Sequence, residues 1–278
     1  MVLCSVFRTF AAQKQKEVPY RMKRTLLTLL VTFMLLGFSH AQESMHVVLL
    51  GDSNTFIGGD SCNVARGWNK WFRDALQPAT CRSYARSGAT WTHTPKTVRD
   101  TEEYTEVLSD NNVIYNQVCR LLEAAVAGEQ ERPTLIIIMA GTNDAWFIDR
   151  RPQVFSNDIS SPLTLAGAVY YDCQLLREAF SEARIVLLTP MQATKTSLKR
   201  IRRTGDIIEA CGTQMGLEVV RLDREGCVSR KQELRKKTNT IDGVHTNERG
   251  AQCIGQLVAE KILSKCKLDS ELARLSTY

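Results

Sequence analysis

The run His46-Val47-Val48-Leu49-Leu50 carries no polar alternation and stops abruptly at Gly51-Asp52-Ser53-Asn54. An aliphatic segment of this kind reads as a strand buried on both faces, which requires a parallel sheet covered by helices. Thr134-Leu135-Ile136-Ile137-Ile138-Met139 repeats the pattern and opens into Ala140-Gly141-Thr142-Asn143-Asp144. Both runs bring small polar residues to the carboxyl edge of a sheet, where open α/β folds place their ligands. Taken singly, Gly-Asp-Ser is also an ordinary turn.

Three shorter strands are predicted at Cys81 to Ala85, Ile185 to Leu188 and Glu218 to Leu222. Helical spacing of apolar residues fills the intervals. It runs from Val64 through Trp68 and Phe72 to Ala75, from Ile114 to Ala125, from Leu165 to Phe180, and through a closing segment marked by Ala251, Ile254, Val258 and Ile262. A basic amphipathic helix is expected from Leu198 to Met215. Five strands alternating with helices predict an α/β fold, a three-layer α/β/α sandwich around a parallel five-stranded sheet. With no Pro/Gly-rich linker and no internal repeat, 42–278 is read as a single domain. Thr92 to Asn112 and Ala145 to Pro162 are long polar stretches, read as insertions or lids.

Residues 1–41 have a different character. A basic start at Met22-Lys23-Arg24 precedes the apolar run Thr25 to Phe38 and the small residues of Ser39-His40-Ala41. That is the pattern of a secretory signal peptide, with the true start at Met22 and the exported chain beginning near Gln42. The apolar run is too short to span a bilayer, so no stable membrane insertion is expected once the signal is removed. The leader holds six Lys/Arg and one Glu, an excess of five, and the formal charge of +6 therefore falls to +1 without it. Net charge then gives no argument for a nucleic-acid partner. The local clusters Lys199-Arg200-Ile201-Arg202-Arg203 and Arg230 to Lys237 are expected to be solvated helix faces. Eight of the nine cysteines follow the leader, an even number compatible with disulfides, although Cys119, Cys173 and Cys253 fall on apolar helix faces where a buried free thiol is an equal account. No Cys/His spacing suits a structural zinc site, and no metal or cofactor is expected.

The polar loops supply the parts of an acyl-transfer site. A serine hydroxyl needs an imidazole to take its proton, and the imidazole needs a carboxylate to fix its tautomer. Ser53 is a candidate nucleophile, and His245 with Asp242, three residues apart, can meet within one turn. The backbone N–H groups of Ser53 and Gly88 and the side-chain amide of Asn143 are candidate donors to an oxyanion. Metal ligation by Asp52, Asp144, Asp242 and His245 is a further alternative.

Gly51-Asp52-Ser53, Gly88, Gly141-Thr142-Asn143-Asp144 and Asp242-x-x-His245 resemble, in order, the four signature blocks of the SGNH (GDSL-type) hydrolase superfamily. The resemblance spans the whole expected domain. It implies a flavodoxin-like sheet, Ser53 as nucleophile, His245 as general base, Asp242 as its orienting carboxylate, and an oxyanion hole of Ser53, Gly88 and Asn143. The chain departs from the pattern at Asn54, where many members carry leucine, and at Ser87, where many carry asparagine. Trp91, Trp146 and Phe147 lie within a few residues of the oxyanion blocks and are candidate substrate-binding side chains, with core packing as the alternative. Asp52 and Asp144 are expected to organise their loops through hydrogen bonds to backbone N–H groups. The expected activity is that of an exported esterase acting on a small-molecule or carbohydrate ester, with short acyl groups on a polar carrier. A lysophospholipase or thioesterase, or a catalytically silent carbohydrate-binding protein on the same fold, are the alternatives.

Overall fold

The aliphatic runs become strands of one sheet, and the polar tripeptides that end them face the same edge. In the computed structural model, which describes residues 44–104 and 106–275 with side chains to 265, the chain forms β1 (His46–Gly51), α1 (Ser53–Phe56), α2 (Trp68–Leu76), β2 (Thr80–Ser83) and α3 (Ile114–Val126). It continues through β3 (Leu135–Met139), α4 (Thr142–Trp146), a 3₁₀ turn at Pro152–Phe155, α5 (Leu165–Ala179), β4 (Arg184–Leu188) and α6 (Leu198–Gln214). β5 (Glu218–Val220), α7 (Leu222–Glu225), α8 (Arg230–Arg235) and α9 (Glu248–Leu275) complete it. The expected leader, 1–41, lies outside the described residues.

All four strand pairings are parallel, in the order β2-β1-β3-β4-β5, which is the flavodoxin-like arrangement. Gly51 stands opposite Met139, and Met139 opposite Leu188, so β1, β3 and β4 end level with one another. Alternate residues of the strands serve two cores. Val48, Leu50, Ile136, Ile138 and Leu187 pack against Val118 and Leu121 of α3, Val169 and Leu176 of α5 and Ile208 of α6. Val47, Leu49, Ile137, Met139 and Val186 pack against Trp68 and Phe72 of α2 and Ile254, Val258 and Ile262 of α9. Both faces are covered, as uninterrupted aliphatic strands require.

Several boundaries move from their expected places. α2 begins at Trp68 rather than Val64, because Gly67 is extended and Val64 is 44% exposed outside the helix. β2 and β5, at the sheet edges, are shorter than expected, and Leu222 opens α7 instead of closing β5. The stretch 92–112 has no helix, and its described part is held by side-chain hydrogen bonds such as Thr94 Oγ1 to Asp110 Oδ1 and Asp100 N to Asn116 Oδ1. Cys227 and Cys253 form a disulfide, whereas Cys119 and Cys173 are buried free thiols.

α9 lies tightly on α2 at Gly255, where a Cβ would stand 2.4 Å from the Trp68 carbonyl oxygen and 2.7 Å from the Phe72 nitrogen. Gly255→Ala gains about 1 kcal/mol of helix propensity, but backbone atoms that cannot step aside oppose it. The net expectation is a loss of about 1–3 kcal/mol, read as a lower urea midpoint. An unchanged or raised midpoint would show that the two helices have room to separate.

Candidate active site

β1 ends in a turn that only glycine fits. A Cβ on Gly51 would come within 2.5 Å of the Met139 carbonyl oxygen and 2.7 Å of Thr55 Oγ1. The buried Gln117 of α3 grips the same residue from the other side, accepting from Gly51 N–H and donating to Gly51 O, both at 2.8 Å. α1 then starts at Ser53, with Asp52 Oδ1 capping the Asn54 N–H at 3.0 Å. Trp68 Nε1 and Asn69 Nδ2 brace it through the Thr55 hydroxyl and carbonyl.

The loop before α9 reaches Ser53 from a chain distance of 192 residues. His245 Nε2 lies 2.9 Å from Ser53 Oγ, and His245 Nδ1 lies 2.9 Å from Asp242 Oδ2. In the tautomer that completes the relay, the hydroxyl donates to Nε2 and Nδ1–H donates to the carboxylate. Asp242 Oδ1 accepts the N–H groups of Val244 and His245 at 2.9 and 2.8 Å. Burial alone would raise the Asp242 pKa. Those amide bonds and the imidazole outweigh it and hold the carboxyl well below the usual carboxylate range. The loop itself is organised by Glu233, a buried carboxylate that accepts from the amides of Thr238, Asn239 and Thr240. Asn247 caps α9, accepting from Gly250 N–H at 3.0 Å.

The oxyanion candidates sit on the neighbouring loops. Gly88 holds a left-handed backbone, φ +81°, and a Cβ there would meet the Val107 Cα at 2.7 Å. Asn143, in α4, donates from Nδ2 to the Ala89 carbonyl at 2.8 Å, which joins the ends of β2 and β3 and leaves the second amide hydrogen unused. Among the described residues the N–H groups of Ser53 and Gly88 donate to no protein acceptor. Asp144 accepts from Trp91 N–H, Thr92 N–H and Thr92 Oγ1 at 2.8–3.0 Å and so fastens the same two loops together. Burial pushes its pKa up despite those bonds.

The three aromatic candidates separate. Trp91 is fully buried among core side chains. Its place in the chain, three residues after Gly88, suggested a pocket wall, but the side chain turns inward. Trp146 and Phe147 are half-buried, stacked at 5.7 Å and 10°, and line a cavity of about 290 Å³ with Lys195, Thr196 and Arg200. Lys195, which carries no sequence signal, joins that cavity to the relay. Its Nζ is 3.6 Å from Asp242 Oδ2 and 5.9 Å from the Trp146 ring centre. His93 packs on Tyr115 and Tyr171, and burial lowers its pKa to about 4.

The sequence profile described as the GDSL-like lipase/acylhydrolase family matches residues 49–253. No curated protein matches the chain in sequence. Among solved structures, a Lactobacillus plantarum protein is similar at 14% identity with a TM-score of 0.59, covering 79% of this chain and 97% of that one. A possible lipase from Chitinophaga pinensis is 15% identical with a TM-score of 0.53, covering 78% and 97%. An acetyl xylan esterase is 16% identical with a TM-score of 0.51, covering 79% and 98%. These likenesses establish the shared fold.

Asp52 supplies a test of the site's electrostatics. Burial raises its pKa from 3.8 to about 6, opposed by the Asn54 N–H, Thr142 and His245, and Oδ2 has no hydrogen-bond partner. The native protein therefore binds a proton between about pH 6 and pH 4 where the unfolded chain does not. The group's contribution to stability rises as pH falls through that window, and above it the buried charge costs on the order of 3 kcal/mol. Asp52→Asn, which keeps an acceptor for the Asn54 N–H, is expected to gain stability over wild type at pH 8 and little at pH 4. Denaturant midpoints at the two pH values check this, and a difference independent of pH would mean that Asp52 is not held neutral by burial.

Proposed function

The chain belongs to the GDSL-like lipase/acylhydrolase family, and on that premise we propose that it is a serine esterase cleaving short acyl groups from a carbohydrate or other polar carrier. The observation that carries this reading is the unbroken hydrogen-bonded chain from Ser53 Oγ through His245 to Asp242. His245 takes the hydroxyl proton as Oγ attacks the ester carbonyl, while Asp242 keeps the ring's tautomer and offsets its positive charge. The N–H groups of Ser53 and Gly88 and the free hydrogen of Asn143 Nδ2 serve the oxyanion. His245 then protonates the departing alcohol. Water, deprotonated by the same ring, releases the carboxylic acid from acyl-Ser53 and restores the hydroxyl. The route uses no metal or cofactor.

The cavity beside the relay supports the substrate reading. At about 290 Å³ it lies at the small end of ligand sites, and Lys195, Arg200 and Asp149 at its walls suit a polar carrier better than a long acyl chain. The paired Trp146 and Phe147 rings offer an apolar face for a sugar ring. Export through the 1–41 leader belongs to the same proposal, and the Cys227–Cys253 disulfide accords with an oxidising compartment.

A fluorophosphonate probe is expected to label the wild-type protein and not Ser53→Ala. An unlabelled wild type, or equal labelling of both, would sink the serine mechanism. Asn143→Ala is expected to lower kcat on p-nitrophenyl acetate on the order of 100- to 1,000-fold with a smaller change in KM, the cost of one lost oxyanion donor. A purely structural role for Asn143 would instead lower the folded fraction and leave the kcat of the folded enzyme unchanged.

A further inference from the structure

The basic cluster at the start of α6 is solvent-exposed, as a solvated helix face is, and it also borders a cavity. Lys199, Arg200, Arg202 and Arg203, with Ile148, Phe155 and Leu198, line a cavity of about 830 Å³. It shares Asp149 and Arg200 with the smaller cavity of Trp146 and Phe147, so the two adjoin there and are taken together as one groove, whose near end lies beside the relay at Lys195. Its size is that of a site for an extended ligand rather than a single small group.

The groove's charge is strongly one-sided. Arg150, Lys195, Lys199, Arg200, Arg202 and Arg203 are met by three carboxylates, Asp149 and Asp206 on the lining and Asp242 beside Lys195, an excess of three positive charges. Outside the leader the whole chain has a net charge of only +1. Both lining carboxylates are already paired, Asp149 with a cation of the groove itself and Asp206 with arginines outside it. Asp149 takes Arg200 in a two-pronged pair at 2.7 and 3.0 Å, and Asp206 is held by Arg221 and Arg224 at 2.8 Å. Arg150, Lys199, Arg202 and Arg203 have no carboxylate partner among the described residues. Like charges gathered in a concave surface repel one another and raise the local concentration of an anion.

From this we infer that the groove binds a polyanionic carbohydrate chain, whose carboxylates lie along Arg150, Lys199, Arg202 and Arg203 while the ester-bearing sugar rests on Trp146 and Phe147. The inference builds on the esterase reading and names its substrate class more narrowly. Two features favour a sugar chain over an anionic membrane. The charges line a concavity, and none of the large apolar side chains that stand exposed on the described surface, such as Val64, Val107 or Leu263, lines it. A face that inserts into a membrane carries protruding apolar residues beside its cations. The apolar floor of Ile148, Phe155 and Leu198 lies recessed and only partly exposed, placed to meet ring faces.

The test separates binding from chemistry. Ser53→Ala is titrated with an oligogalacturonate and with an uncharged xylo-oligosaccharide of equal length. It is also titrated with a single-stranded oligonucleotide of equal charge and with vesicles containing phosphatidylglycerol. The oligogalacturonate is expected to bind tightest, and the preference to weaken steeply as salt rises. The double change Arg202→Glu and Arg203→Glu is expected to cut that affinity on the order of tenfold. In the active enzyme the same pair is expected to raise KM for acetylated oligogalacturonate by a similar factor with kcat unchanged, and to leave p-nitrophenyl acetate hydrolysis untouched. Equal binding of charged and uncharged sugars would overturn the inference, and so would equal or tighter binding of the oligonucleotide or vesicles. If p-nitrophenyl acetate is not hydrolysed at all but oligogalacturonate still binds in the groove, the esterase reading fails while the binding site stands.

Discussion

The peptide groups on either side of Gly51 are the point from which the site is built. β1 lies between β2 and β3, so its last residue can be bonded from both flanks. Met139 O accepts the Asp52 N–H on one side, the Arg86 N–H reaches Gly51 O on the other, and Gln117 closes the remaining direction from α3. With the backbone held this way, Ser53 has little freedom in where it presents its hydroxyl. The absence of a side chain at position 51 is the condition for this, since a methyl group there would push β1 away from β3 and break the Asp52–Met139 bond. Where the Ser53 hydroxyl stands thus depends on sheet register some residues upstream.

Three carboxylates lie around this point, and their surroundings divide them. Asp52 and Asp144 are buried and pushed toward the neutral form, while Asp242 is more exposed, receives two amide N–H groups, and is held charged. Environments that drive like groups apart in this way assign them different tasks. Only Asp242 bonds to the imidazole, so the negative charge that steadies it comes from one direction. Asp144 works as a fastener. By bonding the loop after β2 to the start of α4, it fixes the relation between Gly88 and Asn143, which lie 55 positions apart in the chain.

The parts of the molecule that were legible in the sequence are those where physics allows few residue types. A strand buried on both faces must be aliphatic throughout, which is why β1, β3 and β4 were readable to within a residue or so. The edge strands β2 and β5 are short and only partly covered, and their ends carry no comparable signal. The four polar blocks were visible because a hydroxyl, an imidazole, a carboxylate and a flexible glycine have few substitutes. Gln117, Glu233 and Lys195 were not visible. Each is a common polar residue whose partner is set by tertiary contact; Gln117 meets Gly51 across 66 positions. Trp91 shows the converse, since nearness in sequence to Gly88 says nothing about which way a side chain turns.

Charge shows most plainly how an average hides an arrangement. Residues 42–278, near neutral as a whole, and a basic helix segment within them together look like solvated surface. In the fold, however, the basic segment of α6 also borders a groove, where Asp149 pairs with Arg200 of the segment itself and Asp206 with Arg221 and Arg224 outside it. The relay and the groove also differ in what holds them. Ser53, Gly51 and Asp144 are fixed by buried hydrogen bonds that salt does not reach, whereas the groove's cations are mostly exposed and act through a field that salt screens. Lys195 stands where the two meet, close to Asp242 on one side and Trp146 on the other. Surface arginines and lysines of the groove can therefore change without disturbing the Ser53–His245–Asp242 geometry.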